Sequence, residues 1–152
     1  MELIHIIQFV ERTQKILEQY KNIQLPVDEK HEVVLLLNAC VGLLFIGRQK
    51  YSNRIKKDKL EVHGLNSSCV SLCKDNQRKD EDINMQTVSR HVRNSIAHCR
   101  FDFVNKGGYI KGIKLYDKVK EIDKDLTFEM EMNISDFQSY VLTISDFILR
   151  KK

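Results

Sequence analysis

Tryptophan is absent, proline occurs once and glycine six times in 152 residues. So little proline and glycine excludes a collagenous or low-complexity chain. Cysteine is scarce as well: four residues cannot staple a chain of this length, and they are expected to stay reduced. The opening MELIHIIQF has no basic n-region and no small-residue cleavage site, which predicts a cytoplasmic protein. The longest apolar run, Val33 to Gly47, is broken by Asn38 and falls short of a membrane span. No membrane partner is expected.

Gly107, Gly108 and Gly112 match neither the phosphate loop nor the dinucleotide fingerprint. There is no H-E-x-x-H and no pair of metal-binding carboxylates on a predicted helix, which counts against a metallohydrolase. Cys69, Cys73 and His63 lack a fourth zinc ligand at a usual spacing, so the thiols read as buried or incidental. Neither a metal nor a cofactor is expected.

The balance that remains is 42% apolar and 30% charged, enough for one core and one domain spanning 1–152. The net charge of +4 is unevenly placed. Arg48 to Lys79 holds nine basic and three acidic residues, a net of +6, and this segment is a candidate polyanion-contacting surface. Lys56 and Lys57 are its adjacent pair.

Residues 1–20 read as an amphipathic helix with Leu3, Ile6, Ile7, Val10, Ile16 and Leu17 on the apolar face. Pro26 and Asp28 introduce a second helix over about 29–50, apolar nearly all round and suited to the centre of a bundle. Gly42 and Gly47 within it predict close packing by other backbones. A short helix is expected near 66–75, an exposed loop over 74–82, and a third helix over about 84–100. The period then switches to two. Phe101 to Val104, a turn at Asn105 to Gly108, and Tyr109 to Tyr116 read as a hairpin, followed by a strand through Leu126 to Met132. A last helix opens near Ser135, with Gln138 completing a capping box, and runs to about Arg150. The predicted fold class is mainly α: a bundle of four to five helices with a small antiparallel hairpin or sheet before the last one.

Chemistry concentrates in Ser89 to Arg100, where two histidines and three arginines share twelve residues. At about 100° per residue, Met85, Val88, Val92, Ile96 and Cys99 form the core stripe. Arg93, Ala97, Arg90, Asn94 and His98 spread over the opposite side. An imidazole, with an ordinary pKa near about 6.5, exchanges protons at neutral pH. A neighbouring guanidinium stays charged and can fork onto phosphate oxygens. RNA brings its own 2′-hydroxyl nucleophile, so one base and one cation can suffice. His91 lies on a neighbouring face and reads as structural or solvated.

Arg93-Asn-Ser-Ile-Ala-His98 resembles the R-x4-6-H motif of HEPN domains, with Asn94 as the polar residue that commonly follows the arginine. The run from Arg93 through the hairpin to Phe147 is similar to a stand-alone HEPN nuclease group known from plasmid-borne and bacterial genes. The resemblance implies a helical bundle that forms a homodimer, with two motifs around one cleft. It also implies metal-independent endoribonuclease activity leaving a 2′,3′-cyclic phosphate, in toxin–antitoxin or phage-defence systems. Arg93, Asn94 and His98 become the catalytic set, with RNA the substrate and Arg90, Lys56 and Lys57 weaker RNA contacts. An antitoxin or a nucleotidyltransferase is the further candidate partner. The alternative is a non-catalytic module that binds a nucleotide, RNA or another protein.

Overall fold

Amphipathic periodicity becomes α1 (Leu3–Asn22), with Ile6, Val10 and Leu17 turned inward. Ile16, expected on that face, points to solvent, and Gln14 is buried instead. Its amide reaches Ser145 and Asp146 of the last helix, which satisfies the polar group where it leaves water. This computed structural model describes residues 3–25, 31–46 and 52–150. Pro26, Asp28, Gly47 and the segment's first basic residues lie outside the described residues.

α2 (Glu32–Ile46) buries Val33, Leu36, Leu37, Cys40, Leu43 and Leu44 and leaves a strip of Val34, Val41 and Phe45 partly exposed. At Gly42 a Cβ would come within 2.6 Å of the Phe9 ring of α1. The expected close approach is real, though a ring and not a backbone makes it. None of the helices among the described residues is long and apolar enough to cross a membrane.

The predicted short helix over 66–75 does not form. Asn66 caps a single 3₁₀ turn, Ser67–Cys69, and the chain then extends as β1 (Val70–Cys73). Val70 and Cys73 face the core around a bulge, so the local period is that of a strand. Leu60 and Leu65 plug the same core from the polar segment before it. α3 (Met85–Ala97) follows, capped by Asn84, whose side chain accepts from the Thr87 amide at 2.9 Å.

β2 (Phe101–Lys106) and β3 (Tyr109–Asp117) form the expected hairpin, turning through Gly107 and Gly108 at φ values of 63° and 82°. β4 (Phe128–Asn133) pairs with β3 on one side and β1 on the other. α4 (Ile134–Leu149) is capped by Asn133, which accepts from the Asp136 amide at 2.8 Å; the Ser135 box is not the cap.

The fold is therefore α+β, which corrects the mainly-α expectation. Among the described residues, four α-helices accompany a four-stranded antiparallel sheet of order β1-β4-β3-β2. Ile113, Leu115, Phe128, Met130 and Met132 line its inner face, against which α3 and α4 pack, while α1 and α2 pack against α4. The hairpin was legible, but the sheet widens because β1 joins it from far back in the chain.

Gly112 shows how tightly β3 and β4 are apposed. A Cβ there would lie within 2.4 Å of the Met132 carbonyl oxygen, a backbone atom that cannot swing aside. Gly112→Ala is expected to cost about 1–3 kcal/mol, the usual cost of overpacking. A lowered urea midpoint with an unchanged slope would register it.

Candidate active site

α3 ends one residue before its histidine. His98 is the C-cap, its amide donating to Asn94 O at 3.1 Å. Cys99 then adopts a left-handed φ of 52°, and the Arg100 amide donates back to Ser95 O at 2.7 Å. Ala97, His98 and Cys99 are all exposed. Cys99 therefore leaves the predicted core stripe, because the helical rotation that placed it there stops at Ala97. Met85, Val88, Val92 and Ile96 occupy that stripe as expected.

Arg93 and Asn94 are half-buried on the last turns of α3. Arg93 Nη2 donates to Asn94 Oδ1 at 3.1 Å, and Asn94 Nδ2 donates to Asp117 Oδ2 at 3.2 Å. The second bond fixes which end of the amide faces the arginine. Arg93, Asn94 and His98 thus share the C-terminal end of one helix, with the polar residue locked between the arginine and the sheet.

Asp117 is the centre of this arrangement, at 4% exposure on the last position of β3. His91 Nδ1 and Asn94 Nδ2 donate to its Oδ2, while Arg100 Nη1 and the Lys118 amide donate to Oδ1. Burial alone pushes its carboxyl up. The hydrogen bonds from His91 and Asn94, the charge of His91 and the Lys118 amide outweigh burial and hold it below the usual value. Because an ionised carboxylate only accepts, His91 Nδ1 carries a hydrogen.

His91 is 2% exposed and lies flat on Phe128, with ring centroids 4.7 Å apart and planes within 4°. Arg100 is also buried and donates to Asp117, to Lys118 O at 2.9 Å and to Glu121 at 2.5 Å. Among the described residues, its Nε is the buried side-chain nitrogen without a partner. The Arg100 bond is the largest influence lowering the Glu121 carboxyl, with His98 adding a smaller attraction.

The weaker expected contacts are placed elsewhere. Arg90 grips Glu81 at 2.6 and 2.7 Å, so its charge is largely answered within the molecule. Lys56 and Lys57 are exposed, but Asp58 O holds the Met85 amide at 2.8 Å, which puts them at the N-terminal end of α3. That end is about 20 Å from His98 along a 13-residue helix. An open groove there mixes Lys57 and Lys59 with Glu61 and Asp82. The Cys69, Cys73 and His63 trio is not gathered either: His63 pairs with Asp58 at 3.1 Å.

A family model described as HEPN pEK499 p136 matches residues 2–152, essentially the whole chain. The chain belongs to this HEPN family. It is a member of the plasmid-borne type, a grouping of nuclease or nucleotide-binding modules in general. No curated protein and no solved structure matches it. In this HEPN domain the R-x4-H residues occupy an open helix end, and the sheet beneath supplies Asp117. Asp117 could have been found from sequence, since Ile113, Leu115 and Asp117 alternate and two inward apolar positions predict a third, inward carboxylate.

Proposed function

We propose that this HEPN domain is a metal-independent endoribonuclease whose site is completed by a second copy of the chain. The observation supporting this reading is the exposed His98 one helical turn from an Arg93–Asn94 pair held to Asp117. An exposed imidazole can meet a substrate, whereas a buried one could not. Two copies meeting at this end of α3 would present two imidazoles and two guanidinium groups to one phosphodiester.

The reaction needs one bond made and one broken. The RNA 2′-oxygen bonds to phosphorus while the bond from phosphorus to the 5′-oxygen breaks. One His98 takes the 2′-hydroxyl proton, and its twin gives a proton to the departing 5′-oxygen. Arg93 holds the non-bridging oxygens and answers the charge that builds on them. Asn94 orients the phosphate. The products are a 2′,3′-cyclic phosphate and a 5′-hydroxyl end. A toxin or phage-defence role fits such an activity, with an antitoxin or nucleotidyltransferase as regulator.

Incubating purified protein and labelled RNA with a chelator in excess tests the reading. Cleavage to cyclic-phosphate ends is expected. Stoichiometric binding of intact RNA would overturn it in favour of a binding module, and a stoichiometric protein partner with no RNA affinity would favour an interaction protein.

A further inference from the structure

Strand register places three side chains in a row. Asp117 of β3 stands opposite Phe128 of β4, and Phe128 stands opposite Cys73 of β1, so all three project from the inner face. All three are buried. The His91 ring rests on the middle one, with Nδ1 turned to Asp117 at one end of the row. Its other nitrogen is directed to the opposite end, where Glu81 Oε2 lies 3.2 Å away. Glu81 is held beside Cys73 because its amide donates to Cys73 O at 3.1 Å.

Cys73 Sγ, a Glu81 carboxylate oxygen and a His91 ring nitrogen all lie within 4.8 Å of one another. They come from a strand end, a loop and a helix. A cation already sits among the acceptors: Arg90 Nη2 is 2.6 and 2.7 Å from the Glu81 oxygens and 3.2 Å from His91 Nε2. The Arg90 side chain is 37% exposed and can leave toward solvent. Asp117 engages Nδ1, which leaves Nε2 as the ring nitrogen placed to meet a metal. Carboxylate-to-imidazole support of this kind is the outer shell that metal-ligating histidines ordinarily have.

We propose that Cys73, Glu81 and His91 form a binding site for a soft divalent cation of the zinc class, with Arg90 as the tethered cation it displaces. Asp117 supports His91 from behind, and water supplies the fourth position. Sulfur, imidazole and carboxylate together suit zinc over calcium or magnesium, which prefer oxygen alone. On binding, the Cys73 thiol loses its proton to solvent and the guanidinium of Arg90 swings out. Closing the ligands to metal-bond lengths of about 2.0–2.3 Å is a matter of side-chain adjustment. The site is separate from His98, so it stands or falls independently of the nuclease reading.

Titrating tag-free, reduced full-length protein with cobalt(II) tests it. One equivalent is expected to bind with a thiolate-to-cobalt charge-transfer absorption, and zinc should displace it. The absorption should vanish in Cys73→Ser and persist in the matched control Cys69→Ser. Arg90→Gln should bind about fivefold more tightly, since a competing ion pair has gone. Absence of the absorption, its survival in Cys73→Ser, or unchanged affinity in Arg90→Gln would overturn the site. Should Cys73→Ser fail to fold by circular dichroism, Glu81→Gln replaces it, with at least a tenfold loss of cobalt affinity expected and no loss counting against the proposal.

Discussion

His98→Ala is expected to reduce RNA cleavage by about two to four orders of magnitude, the range for removing a positioned acid–base group. The exposed imidazole should leave the fold intact on removal, so the melting temperature and circular dichroism should match the parent. Initial rates on end-labelled RNA provide the measurement, and an undiminished rate in a folded His98→Ala protein would refute the assignment. Arg93→Ala should lose about 10²–10³-fold, the scale for one group stabilising developing charge. Arg93→Lys should recover little, because an ammonium cannot fork onto two oxygens.

Asp117→Ala should damage stability more than any other single change considered. It leaves Arg100 at 4% exposure without its buried carboxylate, with only the solvent-exposed Glu121 as counter-charge, and removes the acceptor for His91 and Asn94. Breaking a buried ion pair from one side costs about 3–5 kcal/mol. Against a total of about 5–15 kcal/mol, that is enough to leave much of the population unfolded at moderate urea. Asp117→Asn keeps an acceptor and should fall between the two. The acid dependence follows from the lowered native carboxyl. Its contribution is complete above the unfolded value of about 3.9 and fades as pH falls through the lower folded value. The gap in urea midpoint between parent and Asp117→Asn should therefore be widest near neutrality and shrink below about pH 4.

Sequence periodicity located α1, α3, the Gly107–Gly108 hairpin and β4 because each carries its own local signal. β1 carries almost none. It is four residues long, is bent by a bulge, and becomes a strand through Glu129 and Phe128, more than fifty residues away. Missing it is what made the four-stranded sheet read as a hairpin with one further strand, and the fold as mainly helical. At the site, the spacing from Arg93 to His98 was visible, but the end of the helix at Ala97 was not, since Cys99 adopts a left-handed conformation without being glycine. Asp117 was missed as a partner because its donors come from α3 and from Arg100, whose positions depend on tertiary packing.

The division between Asp117, sealed under four donors, and His98, bare at the helix tip, separates durability from reactivity. A lineage could discard the imidazole in one step and keep a sturdy, well-shaped body. On the proposed nuclease reading, a silent descendant would differ at the exposed end of the helix, at position 98 or 93, while the braces around Asp117 survived the change.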